Sequence, residues 1–174
     1  MSNVRHELDR GRRDRDVTDL DASVVIWLAN HSVTLLRLSL GLVFLVFGAL
    51  KFVPGLSPAQ DLAVRTFEAL TFGIVPRDLA LVLVAGLETA IGVILITGWH
   101  LRVGVGLLGV AMIGILAPLV LFPNRLFGAT LFAPTLEAQY VLKDVVLLAA
   151  GLVVAATAFG NRAIGNERDR RLVR

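Results

Sequence analysis

The sequence predicts an all-α integral membrane protein: an antiparallel four-helix transmembrane bundle with a short surface helix between spans one and two. Three observations lead there. Of the 174 residues 56% are hydrophobic and only 18% charged, with a mean hydropathy of +0.76, a balance that soluble domains of this length do not keep. Apolar runs of about 20 residues, the length a helix needs to cross a bilayer, recur along the chain. The connections between most of them are short, so neighbouring helices run antiparallel.

Composition also excludes several classes of function. The chain has no cysteine, which rules out disulfides, thiolate metal sites, cysteine-ligated iron–sulfur clusters and thiol redox catalysis within it. His6, His31 and His100 lack metal-ligand spacing, so no metal site is expected. The pI near 10.2 is not a nucleic-acid footprint, because the basic residues lie in tails and short loops. No cleavable signal peptide is expected, since the first apolar run begins near Ala22 and continues too long.

Each element has its own justification. Residues 1–21 form a charged N-terminal tail, with Arg5, Arg10, Arg12, Arg13 and Arg15 against six acids, a composition that predicts disorder or loose surface contact. The membrane domain covers 22–159. Asp21-Ala22-Ser23 can start a helix, and Val24 to His31 is expected at the interface with Trp27 as an anchor. Span one follows at 33–53 and stops at Pro54-Gly55. Ser57-Pro58-Ala59-Gln60 has the form of a capping box opening a short helix to about Phe72, with Arg65 and Glu68 one turn apart. That helix is too polar to span. It is placed on the membrane surface, as a cover or alternatively as a lid over a pocket mouth.

Span two covers 79–97 after Pro76-Arg77-Asp78. The turn from Gly98 to Arg102 leads into span three at 103–122, where Pro118 is expected to free the Gly114 carbonyl and kink the helix. A loop from Pro123 to Pro134 precedes span four at 136–159, and 160–174 is a basic tail with five arginines and two acids. Both tails and Arg102 fall on one side, whereas the opposite loops carry only Arg65, Arg77 and Arg125. The positive-inside rule then places both termini in the cytoplasm and loops 54–78 and 123–135 outside.

Span one contains the organising stripe. Arg37, Gly41, Phe44, Gly48 and Lys51 share one helical face, with the two cations roughly 21 Å apart along the axis. Gly41, Phe44 and Gly48 form a small-residue groove between them, and glycines or alanines in spans two and three (Gly86, Ala90, Gly104, Gly106, Gly109) also permit close packing. Lys51 and Lys143 are the only lysines in the chain, and both sit at or inside apolar helices. Glu88 lies roughly 15 Å into span two, near the bilayer midplane, where a carboxylate is costly unless protonated or paired. Tyr140, Lys143 and Asp144 lie in the outer half of span four. Topology puts Lys51, Glu88, Tyr140, Lys143 and Asp144 in the same half of the bundle, with formal charges that cancel. Two readings stay open: a polar pocket that binds a head group or relays protons, and an ion-pair network that fixes helix register. Lys143 and Asp144 point about 100° apart and so serve different partners more easily than each other. At the other end, Arg37 reaches cytoplasmic head groups, and His100 and Arg102 mark a cationic hairpin.

The order of these motifs resembles the DoxX-like family of small four-span membrane proteins. The resemblance covers about residues 33–158 and rests on Gly48-x-x-Lys51, Glu88-x-x-x-Gly92, Gly98-x-x-x-Arg102 and Tyr140-x-x-Lys143. It implies a four-helix bundle in a prokaryotic inner membrane, multi-pass, with members serving as membrane subunits of redox assemblies or linked to oxidative-stress partners. On that basis the chain is expected to be a membrane subunit of a redox-linked assembly, binding a quinone-type or other lipophilic molecule in an outward-facing pocket. The cluster Lys51, Glu88, Tyr140, Lys143 and Asp144 would bind the polar head, with a protonated lysine (Lys51 or Lys143) or Tyr140 donating to a quinone oxygen and Glu88 passing the proton. No cofactor is held by the chain itself and no catalytic residue is assigned. It is at most a non-catalytic or partner-dependent oxidoreductase subunit. The expected partners are the lipid bilayer, a redox protein and a second copy of the chain, not nucleic acid. Two alternatives remain: a small proton-coupled carrier, and a structural or assembly protein whose charges lock register.

Overall fold

The computed structural model describes the backbone of residues 2–53, 55–57, 60–128 and 134–172, and the side chains of 21–53, 55–57, 60–128 and 134–160. Pro54, Pro58 and Ala59, which the sequence assigns to the end of span one and to the capping box, lie outside the described residues, as does 129–133. Among the described residues the regular elements are helices: α1 (Ser2–Lys51), α2 (Gln60–Leu70), α3 (Arg77–Thr97), α4 (Leu101–Leu116), α5 (Pro118–Leu121), α6 (Pro123–Phe127) and α7 (Leu136–Leu172). Four stretches are long and apolar enough to cross a membrane: Asp21–Lys51, Arg77–Thr97, Leu101–Leu121 and Leu136–Gly160. These are the four spans expected from the sequence.

The chain divides into two compact units, Met1–Leu35 and Leu36–Arg174. The first is helical from Ser2, where composition predicts a disordered tail. Further along, the Trp27 and His31 rings stack at 4.8 Å, and His31 Nδ1 lies 2.9 Å from the Trp27 carbonyl.

In the second unit, close helix approach follows from missing side chains. A Cβ on Gly41 would lie 3.1 Å from the Gly92 carbonyl, one on Gly48 only 2.6 Å from the Thr89 nitrogen, and one on Gly92 would run into the Leu45 backbone. Residues 36–51 of α1 therefore pack backbone to backbone on α3. Gly151 of α7 likewise admits Leu108 of α4. Around these contacts Leu40, Phe44, Ile91, Leu95, Val105, Leu108, Met112 and Val154 form one buried cluster. A second joins Leu62 of α2, Leu126 of α6, and Ala138 and Val141 of α7. Outside, Val82, Val110, Ile113, Val146 and Leu152 are well exposed, an apolar belt suited to lipid rather than water.

The turns follow local chemistry. α3 ends at Gly98, which has φ of 73° and donates its N–H to the Ile94 carbonyl at 2.9 Å, a left-handed stop that glycine adopts without strain. His100 takes the same left-handed region, with φ of 53°. The third span breaks where expected, α4 giving way to α5 at Pro118, because proline cannot donate to the helix ladder.

Two expectations are corrected. The stretch beginning at Pro123 opens with a short helix, α6, rather than loop throughout; Pro123 at its first turn needs no donor. The capping box does not close: the Gln60 side-chain oxygen accepts from the Gly55 N–H at 3.3 Å, and buried Ser57 Oγ has no hydrogen-bond partner among the described residues. The short helix expected between spans one and two is α2, which packs against α3, α4 and α5 with Leu62, Val64 and Thr66 buried.

Candidate functional site

A cavity of about 340 Å³ occupies the end of the bundle where α1 finishes and α7 begins. α1 contributes Phe44, Phe47 and Lys51, α3 Val84, Leu87 and Glu88, α4 Val110, Ile113 and Gly114, and α7 Tyr140, Asp144 and Leu147. α2 covers it with Thr66, Phe67 and Leu70. Val110 and Ile113 line the cavity although they are 61% and 69% exposed. The cavity therefore opens through the side of the bundle.

At its polar end Lys51 Nζ donates to Glu88 Oε2 at 2.6 Å. The residues meet because each lies on its helix's inward face. Lys51 follows Phe44 by seven positions, and Glu88 shares the buried face of Ala85, Ile91, Gly92 and Leu95. Lys51 is also the last residue of α1, where the unpaired carbonyls favour a cation, and its ammonium lies 3.4 Å from the Phe47 carbonyl. Only 4% of Lys51 and 7% of Glu88 is exposed. Two such groups can share a low-dielectric site only as a pair.

Tyr140 and Asp144, one turn apart on α7, line the same cavity. Lys143 does not. It is exposed, with Nζ 5.5 Å from the centre of the Tyr140 ring on the outer side. The expected cluster is thus four residues, not five, and its charges do not cancel: Lys51 stands alone against Glu88 and Asp144. The rotation of about 100° per residue that separates Lys143 from Asp144 is the cause.

The expected groove divides too. Phe44 lines the cavity, but Gly41 and Gly48 are filled by α3. Arg37 lies against Gly98, where an added Cβ would meet its guanidinium. His100 and Arg102 sit at the far end of the bundle and do not join the site. The His100 ring packs edge-on to Trp99 at 4.8 Å, while Arg102 donates to the Ala158 carbonyl at 3.4 Å and lies 6.0 Å from the Phe159 ring centre.

One cluster was not foreseen. Asp61 of α2 accepts from Arg65 at 2.9 Å, Arg77 at 2.6 Å and Arg125 at 2.8 Å, and Arg125 also donates to both Glu137 oxygens at 2.6 Å. Arg65 thus pairs with Asp61 rather than with Glu68. The Arg77 hydrogen bond, then that of Arg125, holds the Asp61 carboxyl well below the usual carboxylate range. Glu137, then Asp61, raises the Arg125 guanidinium. These bridges tie α2 to the starts of α3 and α7 and to α6, beside the cavity mouth. The available signal was the coincidence of Arg65, Arg77 and Arg125 at one end of the bundle with acids in first helical turns, Asp61 and Glu137. No group of three His, Cys, Asp or Glu among the described residues could hold a metal ion.

Four apolar helices around a laterally open cavity with a buried ion pair define a small multi-pass helical membrane protein. The chain belongs to the DoxX family, whose model matches residues 32–122. That match includes Lys51, Glu88 and α2, and leaves Tyr140 and Asp144 of α7 beyond it. No curated protein matches the chain, and no solved structure does.

Proposed function

We propose that this DoxX-family protein is the membrane subunit of a redox-linked assembly and that its cavity holds a quinone-type or similarly lipophilic molecule. The observation that carries this reading is the union of a mostly apolar cavity, open to the lipid-facing side, with titratable groups at one end. A volume of about 340 Å³ lies within the usual range for small-molecule sites. An isoprenoid or alkyl portion would lie along Phe44, Phe47, Leu87 and Val110, with the polar head toward Tyr140 and Asp144. Without cysteine the chain has no thiol redox chemistry of its own, so a redox protein partner would supply electrons. The family resemblance implies a prokaryotic inner-membrane location, and the arginine distribution supports both termini being cytoplasmic with the cavity toward the outer face.

The test is mass spectrometry of protein purified in mild detergent, scoring small molecules and copurifying polypeptides. A stoichiometric quinone or redox protein is expected, and quinone should be lost from Lys51→Met and Glu88→Gln. Partner-dependent quinone reduction unchanged in both variants would refute the proposal. A second reading, a register lock, draws on the closed 2.6 Å pair itself. It predicts that exchanging the two charges, Lys51→Glu with Glu88→Lys, restores folding in a protein that binds nothing.

A further inference from the structure

The opening of the cavity restricts how a ligand reaches it and how much of that ligand stays inside. At the hairpin end α3 and α4 touch, since a Cβ on Gly104 would run into the Ile94 side chain. Where the two helices line the cavity, α2 packs against both. There Val110 and Gly114, one turn apart on α4, border the cavity with Leu87 of α3 and Leu70 of α2. Val110, Leu70 and neighbouring Ile113 are exposed, and a Cβ on Gly114 would meet nothing within 4 Å. The wall is open at this glycine, and the side chains around the opening are apolar.

From this gap we infer that the ligand enters sideways from the bilayer between α3 and α4, past Gly114, and leaves its tail in the lipid with only the head and first tail carbons inside. The inference rests on the quinone-type reading above. It adds the route, the residue that keeps the route open, and a narrower ligand class: a membrane-resident molecule whose tail is longer than the cavity. A volume of about 340 Å³ is near the lower end of the range for small-molecule sites, so a ring with a short chain fills it. Lipid tails are as apolar as the cavity wall, and moving hydrocarbon from bilayer to protein gains little. Affinity therefore comes from the head and from the packing of the first carbons. Every carbon beyond the opening lies in lipid whether the ligand is bound or free, so the site does not measure tail length. Glycine matters at 114 for the same reason: a side chain there has no protein neighbour to displace and would fill the passage itself.

The experiment measures equilibrium binding to the full chain in nanodiscs, with affinity expressed as the mole fraction of probe in the bilayer so that partitioning cancels. The probes are decylubiquinone and a long-chain isoprenoid ubiquinone with the same ring. Expected is equal affinity for the two, a loss of roughly tenfold or more for both in Gly114→Phe, and no change in Gly109→Phe. Gly109 serves as the control because its Cβ also meets nothing within 4 Å, on the same helix but outside the cavity lining. Weaker binding of the longer probe to the unaltered protein would mean an enclosed tail and overturn the inference. Unchanged binding in Gly114→Phe, or an equal loss in Gly109→Phe, would overturn it too, and each of these results leaves the quinone-type reading standing. Failure of both probes to bind the unaltered protein would remove that reading and the inference together. The tail-length comparison needs no variant, so the result does not depend on a substituted protein folding.

Discussion

Lys51 and Glu88 meet at 2.6 Å with their side chains only 5% and 9% exposed, tying the last residue of α1 to the middle of α3. Removing two charges from a polar environment is expensive, and their attraction offsets that cost only while both are present. The pair is therefore more informative as a constraint than as a source of stability.

Removing one member should be worse than removing both. Lys51→Met strands a carboxylate in an apolar wall and should cost about 3–5 kcal/mol, whereas the double variant Lys51→Met/Glu88→Leu should recover most of that loss. Thermal melts of the four proteins in one detergent form the cycle. Strictly additive effects would show that the two charges do not couple.

Glycine substitutions should separate sharply by position. Gly48→Ala drives a Cβ against the Thr89 backbone at 2.6 Å, while a Cβ on Gly86 meets nothing within 4 Å. The first should destabilise by about 1–3 kcal/mol. The second should be neutral or stabilise by up to about 1 kcal/mol, the helix-propensity gain of alanine. Melting curves in nanodiscs decide, and equal effects would mean that α1 and α3 do not touch there.

Docking of α2 should weaken in acid. Because Arg77 and Arg125 lower the Asp61 pKa, its contribution is complete above the ordinary aspartate value of 3.8 and declines as pH falls below that. Asp61 is 41% exposed, so solvent screens these bridges and the effect is modest. Hydrogen exchange within α2 should rise on acidification and with added salt. Asp61→Asn should show the faster exchange already at neutral pH and respond less to acid.

Lys143 should be dispensable for the cavity. Its ammonium lies outside over the Tyr140 ring, so Lys143→Ala should change stability by less than about 1 kcal/mol and leave any copurifying molecule in place. Loss of that molecule in Lys143→Ala, as in Lys51→Met, would return the lysine to the site.

Much of the fold was legible because its signals are local. Hydropathy marked all four spans, Pro118 marked the break in the third, and Gly98 marked the turn after the second. The Arg37–Lys51 stripe was correctly read as one face, since helical period alone sets it. The site was half legible. Glu88 and Lys51 stood out because charges deep in apolar helices need partners, but nothing in the sequence joins position 51 to 88 rather than to 144. Asp61 went unnoticed because an acid at a helix start has an ordinary local explanation.

By itself, then, the sequence determined the class of protein, the number of spans and the short list of titratable groups that a membrane must accommodate. These depend on length, period and the cost of burying charge. The tertiary structure alone decided which of them share a cavity. It turned Lys143 outward beside an inward Asp144, filled Gly41 and Gly48 with α3, and drew α2 into the wall. Each outcome depends on how helices are rotated and spaced against one another, and that is set by the close contacts of Gly48, Gly92 and Gly151 across distant segments.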